Sequence, residues 1–333
     1  MINVAINGFG RIGRSFVRAL QAKQSEINVV AINDLGSVKQ LAHLLKYDTA
    51  FGNFPEEVKV EENALYIGGK KIAVYQERDP ENLPWKELNI DVVLESTGVF
   101  VSGPAASKHL KAGARKVVIS APASEVDLTI VQGVNNDLYD KEKHNIVSNA
   151  SCTTNCLAPL AKVINDNFGI VDGFMTTIHA YTQDQNLQDS PHKDMRRARC
   201  AAQNIVPTST GAAKAIGLVI PELKGKLDGG AVRVPVITGS MVDLTVNLKE
   251  TVTIEQVKAA VKKAAENEMK GVLAYTEDEI VSSDIIKNPA SSIFDAGLTN
   301  VIGDKFLKVT SWYDNEWGFS NRLIDTIEQV AVK

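Results

Sequence analysis

The first 150 residues alternate short apolar runs with segments whose apolar residues recur at helical spacing. The runs at 2–7, 28–32, 91–95 and 116–120 have the length and composition of buried parallel strands. Helical spacing follows the first run, and residues 103–112 predict a helix between the last two. This alternation predicts a doubly wound α/β domain on a parallel sheet.

The pattern changes after Cys152. Longer strands are predicted over 169–180, 231–236, 239–248 and 306–311, and helices over 212–219, 257–269 and 319–332. Extended strands with few crossovers favour an α+β domain with a mixed, largely antiparallel sheet and helices on one face. The segment 181–203 lacks a clear period, and long loops inside compact domains are usually functional. We predict one domain over 1–150 and a second over 151–318.

Three glycines follow the first strand and open the first helix. Gly8, Gly10 and Gly13 fit the pattern G-x-G-x-x-G, which allows a tight turn and a close approach of the backbone to a pyrophosphate. The second strand ends at Asp34, about 20 residues after the last glycine, where an acid binds the ribose hydroxyls of NAD. Glycine turns without a ligand are common, but the order of strand, glycines, helix, strand and acid predicts a dinucleotide site.

The ends of two further strands carry small or polar residues. Thr97 and Gly98 follow the strand at 91–95, and Ser120 ends the strand at 116–120. Ligands of open α/β sheets bind at the carboxyl ends of the strands. We therefore expect these three residues to line the cofactor cleft.

Cys152 lies between a predicted strand at 145–148 and a helix that begins beside it. The free N–H groups and the dipole of a helix N-terminus favour a thiolate, and a base or a cation would hold it ready. His179, on the strand at 169–180, is the candidate base. The alternative is that Cys152 is a small buried hydrophobe and His179 a core residue with a satisfied hydrogen bond.

Composition narrows the function classes. The chain has 333 residues, of which 44% are hydrophobic, which fits two globular domains. Its net charge of −4 gives no general affinity for nucleic acid or an anionic membrane. The apolar runs are too short to span a bilayer, and we expect no signal or transit peptide. Three cysteines form no disulfide framework, so we expect a cytoplasmic protein without a metal site.

Several polar residues of the second domain could hold a phosphorylated substrate. Thr182 follows His179, and Thr210 and Gly211 precede a predicted helix whose N-terminus suits an anion. Arg233 lies in an apolar strand, where a buried guanidinium needs a partner. Arg197 belongs to a basic run in the long loop, and a solvated surface is the alternative for that run.

Four motifs together resemble the phosphorylating glyceraldehyde-3-phosphate dehydrogenase family, over essentially the whole chain. They are the segments 7–14 (NGFGRIGR), 148–156 (SNASCTTNC), 207–214 (PTSTGAAK) and 312–318 (WYDNEWG). The resemblance implies that Cys152 attacks the aldehyde of glyceraldehyde 3-phosphate and that His179 activates the thiol and takes the hydroxyl proton. Hydride then passes to NAD, and inorganic phosphate releases 1,3-bisphosphoglycerate from a thioester.

The resemblance also assigns binding roles. Thr182 and Arg233 would hold the substrate phosphate, and the attacking phosphate would contact Ser151, Thr153, Arg197, Thr210 and Gly211. Cofactor contacts would come from Arg11, Ile12, Asp34, Arg78, Ser120 and Asn315. The family forms homotetramers in which the loop 181–203 packs against a neighbour's cofactor site. In this family the C-terminal helix, here 319–333, completes the first domain.

Two departures from the family pattern affect the cofactor prediction. Phe319 replaces a tyrosine found near the nicotinamide in many relatives, and we expect the fit to survive. Ser190-Pro191 replaces the Leu-Pro of strictly NAD-dependent relatives, and Gly36 and Ser37 also resemble relatives that accept NADP. Since Asp34 repels a 2′-phosphate, we expect NAD as cofactor with some tolerance of NADP.

Three other functions compete with this prediction. Erythrose-4-phosphate dehydrogenase is a close relative with the same residues but little phosphate attack. A binding protein that has kept the fold is disfavoured by the complete set of Cys152, His179 and Asp34. A hydrolytic cysteine enzyme would leave the dinucleotide motif unexplained.

Overall fold

The structure is a computed structural model that describes residues 1–331. The last residues of the predicted C-terminal helix, Val332 and Lys333, lie outside the described residues. The chain forms two compact units. The first contains Met1–Ile130, Asp137–Ala150 and the C-terminal helix from Ser320 onward, and the second contains Val131–Asn136 and Ser151–Phe319.

The first unit contains a sheet with helices between its parallel strands. Its strands are β1 (Ile2–Asn7), β2 (Ile27–Asn33), β3 (Tyr47–Asp48), β4 (Gly52–Asn53), β5 (Val58–Glu61), β6 (Ala64–Ile67), β7 (Lys70–Tyr75), β8 (Val92–Glu95), β9 (Lys116–Ile119), β10 (Leu128–Thr129) and β11 (Ile146–Ser148). Its helices are α1 (Arg11–Ala22), α2 (Val38–Lys46) and α3 (Gly103–Lys111).

Strand order identifies the topology of this sheet. The order is β10-β11-β9-β8-β1-β2-β7-β6-β5, and every pair from β10 to β7 is parallel, whereas β6 pairs antiparallel with β7 and β5. The parallel strands β7, β2, β1, β8, β9 and β11 therefore follow the Rossmann order. All four residues of β8 are buried, as expected for a strand covered on both faces. The predicted Rossmann fold is confirmed.

The second unit contains a mixed sheet. Its strands are β12 (Ile170–Ala180), β13 (Val206–Thr208), β14 (Leu227–Val234), β15 (Ser240–Leu248), β16 (Leu273–Thr276), β17 (Ser292–Ile302) and β18 (Phe306–Tyr313). Its helices are α4 (Cys152–Phe168), α5 (Ala212–Val219), α6 (Ile254–Glu266) and the start of α7 (Trp317–Ala331). In the order β13-β14-β12-β15-β18-β17-β16, only β12–β14 and β16–β17 pair in parallel within the described residues.

The structure adds elements and moves boundaries relative to the sequence predictions. The strands β13, β16 and β17 were not predicted. The strand predicted over 231–236 is β14, which ends at Val234, because Pro235 lacks the N–H needed to continue the ladder. No helix or strand occurs in 181–203, as predicted, and no helix of the described residues is long and apolar enough to cross a membrane.

Candidate active site

The loop between β1 and α1 is built around glycine. Gly8 has φ 93°, and a Cβ there would lie 2.6 Å from the backbone nitrogen of Thr97. At Gly13 a Cβ would lie 2.4 Å from the carbonyl oxygen of Gly8, so these two glycines are required for close packing. A Cβ at Gly10 would meet no atom within 4 Å. Gly10 is also the N-cap of α1 and gives it no side-chain cap, which leaves the helix N-terminus available to a phosphate.

A pocket of about 400 Å³ adjoins this loop within the first unit. Asp34 lies in its wall, and the Asp34 carboxylate accepts hydrogen bonds from the N–H of Phe9 at 2.7 Å and of Gly36 at 2.8 Å. These bonds fix the carboxylate at the end of β2 and leave lone pairs for further donors. The lining residues are Asn7, Gly8, Gly10, Asn33, Asp34, Leu35, Glu77, Arg78, Ser96, Thr97, Val99 and Phe100. The open helix N-terminus and the fixed carboxylate fit a ligand with both phosphates and ribose hydroxyls.

Cys152 is the first residue of α4, as the sequence predicted. The chain enters this helix through Ala150, whose φ of 56° lies in the left-handed region that is unfavourable for a residue with a Cβ. Ser151 then caps the helix, because its hydroxyl accepts the N–H of Thr154 at 3.0 Å. This sharp turn places the Cys152 thiol beside the N-terminus of α4.

The Cys152 thiol faces the imidazole of His179. Sγ lies 3.5 Å from Nε2, and Nδ1 lies 2.7 Å from the carbonyl oxygen of Ala180. Nδ1 lies between an acceptor, the Ala180 oxygen, and a donor, Arg233 Nη1; in the tautomer with the proton on Nδ1, the lone pair of Nε2 is directed at the thiol. Arg233 pairs with His179 in register on β14; its Nη1 contacts Nδ1 and donates to the Ala180 oxygen at 3.0 Å.

The pKa shifts of His179 and Cys152 distinguish the roles of these side chains. Burial, assisted by the charge of Arg233, lowers the pKa of His179 to about 3, so the imidazole is neutral and can act as a base. Burial raises the pKa of the Cys152 thiol, whereas Arg233 and hydrogen bonds from Thr153 lower it. The cation that favours the thiolate in this structure is therefore Arg233, and His179 is the neutral group placed to act as a base.

Arg197 lies in a second polar cluster of the same unit. Its guanidinium pairs with Asp184 and donates from Nε to the hydroxyl of Thr208 at 2.9 Å. The hydroxyl of Thr210 accepts the N–H of Ala212 at the start of α5. A Cβ at Gly211, the N-cap of α5, would meet no atom within 4 Å. Arg197 is thus held next to the segment that precedes an open helix N-terminus, an arrangement suited to an anion.

The comparisons with known proteins agree with this geometry. Residues 2–103 match the family model for the glyceraldehyde 3-phosphate dehydrogenase NAD binding domain, and residues 151–315 match the model for its C-terminal domain. The chain is 60% identical to a glyceraldehyde-3-phosphate dehydrogenase of Mycolicibacterium smegmatis, over 99% of this chain and 98% of the relative. It is 58% identical to glyceraldehyde-3-phosphate dehydrogenases of Streptomyces avermitilis and Streptomyces coelicolor, over 97% of each chain.

The chain belongs to the glyceraldehyde-3-phosphate dehydrogenase family. The resemblance found in the sequence motifs is therefore confirmed, and NAD is the cofactor that this family membership supports.

Some of the predicted cofactor residues of this family member line the pocket and others do not. Gly8, Gly10, Asp34, Arg78 and Thr97 line it. Among the predicted cofactor residues of the first unit, those outside its lining are Arg11, Ile12, Gly13, Gly98 and Ser120. Arg11 and Ile12 form the first turn of α1, and the Arg11 guanidinium pairs with Asp48. Gly98 and Ser120 follow β8 and β9 at the carboxyl edge of the sheet.

The predicted binding residues of the second unit also differ in burial and in the hydrogen bonds that they already make. The hydroxyl of Thr153 is 2.8 Å from that of Tyr313 and is buried. Thr182 follows β12, and its N–H donates to Gln185 Oε1 at 3.3 Å. Asn315 is buried, and its Oδ1 accepts the N–H of Gly239 at 3.1 Å.

Sequence analysis missed Tyr313 as part of the site. The Tyr313 hydroxyl lies 2.8 Å from the hydroxyls of both Thr153 and Thr177, and its ring meets the ring of His179 edge to face at 5.8 Å between centroids. The Tyr313 side chain thus connects α4, which carries Cys152, with β12, which carries His179. Asn7 and Asn33 of the cofactor pocket were also missed, although their position at the ends of β1 and β2 was a usable signal.

Proposed function

We propose that this chain oxidises D-glyceraldehyde 3-phosphate with NAD and inorganic phosphate to give 1,3-bisphosphoglycerate. The observation that carries the proposal is the 3.5 Å contact between Cys152 Sγ and His179 Nε2 at the N-terminus of α4, with Arg233 beside the imidazole. A nucleophile, a neutral base and a fixed cation are the groups needed for attack on the carbonyl of an anionic aldehyde.

Oxidation begins with the thiol of Cys152. Nε2 of His179 accepts the thiol proton as Sγ bonds to the aldehyde carbon and returns that proton to the carbonyl oxygen, which becomes the hydroxyl of a thiohemiacetal. The backbone N–H of Cys152, at the start of α4, stabilises the developing negative oxygen. His179 then takes the hydroxyl proton as hydride leaves the same carbon, and the chemistry that NAD would supply when bound is the acceptance of that hydride. The product on the enzyme is a thioester of Cys152.

Inorganic phosphate completes the reaction. A phosphate oxygen bonds to the thioester carbon, the carbon–sulfur bond breaks, and the electron pair returns to Sγ as a thiolate. We assign the attacking phosphate to Arg197 and the N-terminus of α5, with Thr210 and Gly211, and to Ser151 and Thr153 at the start of α4. Arg233 and Thr182 take the phosphate that the substrate carries.

The two phosphate assignments can be separated by variants. Arg233→Ala should mainly weaken use of the phosphorylated aldehyde, whereas Arg197→Ala should mainly raise KM for inorganic phosphate. Losing a charge-assisted contact of about 1.5–3 kcal/mol corresponds to about ten- to hundredfold in each case. Equal effects of both changes on both ligands in steady-state kinetics would contradict the assignment.

For the cofactor, the fixed carboxylate of Asp34 supports NAD over NADP, since a 2′-phosphate at this position would meet a negative charge. We also infer some use of NADP, because Gly36 and Ser37 are small and Ser190 is exposed in the loop 181–203.

We infer that the protein is a cytoplasmic homotetramer with small-molecule substrates and no role for nucleic acid or membranes. Leu187 and Met195, in the loop 181–203, are exposed at 76% and 81%, and Ile205 is exposed at 70%. Large apolar side chains grouped in one loop region support a subunit interface there. Sedimentation of the purified chain should give four times the monomer mass, and a monomer would refute this assembly.

The central test is NADH formation from glyceraldehyde 3-phosphate with inorganic phosphate varied. We expect continuous turnover with phosphate and, without it, a single burst equal to the enzyme concentration, because the thioester then accumulates. Erythrose 4-phosphate serves as the comparison substrate. A higher kcat/KM for erythrose 4-phosphate, or turnover independent of phosphate, would overturn the proposal.

A further inference from the structure

A chain of buried polar side chains crosses the first unit beneath the cofactor pocket. It begins at Trp85, which is fully buried, and its indole Nε1–H donates to Nδ1 of His109 at 3.0 Å. Nε2 of His109 lies 2.9 Å from Oε2 of Glu95, and both side chains are at most 1% exposed. Asn7 adds a second donor to the same oxygen, at 2.6 Å.

The indole determines the tautomer of His109. An indole N–H is only a donor, so Nδ1 of His109 must accept and carries no proton. The proton therefore lies on Nε2 and points at the Glu95 carboxylate. Phe100, which lines the pocket, meets the imidazole edge to face with centroids 6.3 Å apart. The imidazole of His109 is thus fixed both in position and in the direction of its donor.

Glu95 connects the fixed imidazole of His109 with the turn after β8 through hydrogen bonds. Its second oxygen, Oε1, accepts the N–H of Thr97 at 2.8 Å and the Thr97 hydroxyl at 2.5 Å. Thr97 in turn accepts the N–H of Val99 at 3.0 Å. Since a Cβ at Gly8 would collide with the Thr97 nitrogen, the glycine loop packs directly on this turn. The position of Glu95 therefore sets the positions of two walls of the pocket.

The chain also extends sideways along the ends of neighbouring strands. Oδ1 of Asn7 accepts from Nδ2 of Asn33 at 2.7 Å, and Asn33 exchanges hydrogen bonds with the backbone of Glu77 at 2.8 and 2.9 Å. These residues and Glu95 stand at or just after the carboxyl ends of β1, β2, β7 and β8, which are neighbours in the sheet. Asn7, Asn33 and Glu77 all line the pocket.

We propose that Trp85 and His109 are positioning residues for the cofactor, which act through Glu95 on the pocket walls at Asn7 and Thr97. The inference rests on the proposed binding of NAD in this pocket. Buried ionisable groups stabilise a core less well than apolar groups of equal volume. We therefore assign to the buried side chains of this hydrogen-bonded chain the orientation of the pocket walls, and not the stability of the core. Without the Nε2–H of His109, Oε2 of Glu95 keeps Asn7 as its donor, and the carboxylate is held less firmly in the orientation that accepts from Thr97.

The test uses the full-length enzyme and measures NAD binding directly by titration calorimetry, separately from turnover. His109→Phe keeps a ring but removes the donor, and we expect Kd for NAD to rise about tenfold, equivalent to about 1.4 kcal/mol. KM for NAD should rise in parallel, while kcat at saturating NAD and KM for the aldehyde stay within about twofold. His109→Gln, whose amide can again donate to Glu95, should recover most of the affinity.

Three further variants separate the positioning role from a purely structural effect. Trp85→Phe removes the indole N–H that fixes the tautomer, together with part of the ring volume, and should raise Kd about threefold even if His109→Phe does not fold. Ile90→Val and Ile90→Ala shorten a buried neighbour in the Trp85 cluster and provide matched decreases in Tm. We expect the Ile90 variants to bind NAD like the wild type.

The outcomes separate this inference from the proposed function. A wild-type enzyme that binds no NAD would refute the proposed function. A wild type that binds NAD, with Trp85→Phe and the His109 variants indistinguishable from it, would refute the positioning role alone. A loss of affinity that the Ile90 variants reproduce at equal Tm would also refute that role, since general destabilisation would then account for it.

Discussion

Replacing Arg233 should raise the pH at which Cys152 becomes reactive. Arg233 Nη1 contacts Nδ1 of His179, and Cys152 Sγ lies 3.5 Å from Nε2 across the ring. At a separation of about 6 Å and an effective dielectric constant of about 20, the Coulomb interaction between two unit charges is about 3 kcal/mol, which gives the scale of the attraction across the imidazole ring. Because both residues are partly exposed, solvent reduces this interaction, and we expect the variant to hold about ten- to hundredfold less thiolate at a given pH.

The direction in which the pKa of Cys152 shifts follows from the negative charge of the thiolate. Arg233 lowers the pKa of Cys152, so Arg233→Gln should move the midpoint of alkylation to higher pH. Below both midpoints, alkylation at a fixed pH should slow by the same factor, because its rate follows the thiolate population. Iodoacetamide suits the assay because it is neutral and does not itself depend on an anion site. The measurement is the rate of Cys152 modification from acidic to alkaline pH, followed by mass spectrometry.

Two variants serve as controls for this experiment. Arg233→Lys keeps the positive charge and should move the midpoint less than Arg233→Gln. Arg197→Gln removes another positive charge of the second unit. The charge of Arg197 acts on Arg233, but Arg197 is not among the main influences on the pKa of Cys152. A profile for Arg233→Gln that coincides with that of the wild type would refute the conclusion that this guanidinium supports the thiolate.

Four other changes test the remaining roles. Cys152→Ser should abolish dehydrogenase turnover and leave the Kd for NAD unchanged; iodoacetamide should label Cys152 far ahead of Cys156, whose thiol is fully buried with its pKa raised to about 12. His179→Asn should lower the rate of hydride transfer, measured by stopped flow, by about 10²–10⁴, because the base is lost. Asp34→Gly should lower kcat/KM with NAD and raise it with NADP, whereas Ser190→Leu should damage use of NADP alone; a wild type that already prefers NADP would contradict the role of Asp34.

The features that sequence predicted well are local ones. The order of β1, the glycine loop, α1 and β2 with its final acid needs only neighbouring residues, and so does the position of Cys152 at the start of α4. Each depends on periodicity and on turn chemistry over a short stretch of chain. For the same reason, the predicted helix over 212–219 coincides with α5.

The features that sequence did not predict depend on contacts between distant residues. Tyr313 is 160 positions from Thr153 and 136 from Thr177, yet its hydroxyl lies 2.8 Å from both. The pairs His109–Glu95 and Trp85–His109 are 14 and 24 positions apart, and no helical or strand period connects them. The role of Arg233 is similar, because only the register of β14 on β12 places it opposite His179.

The two units use the N-terminus of a helix after a strand in different ways. In the first unit, the N-cap Gly10 offers no side chain and leaves open space, so a bound anion can approach the N-terminus of α1. In the second, the Ser151 hydroxyl satisfies Thr154, and the strained Ala150 brings the Cys152 sulfur to the helix N-terminus. An uncapped helix suits a cofactor that arrives with its own phosphates, whereas a capped helix keeps a nucleophile oriented before any substrate is present. This difference explains why a glycine pattern marks one site and a cysteine after a capping serine marks the other.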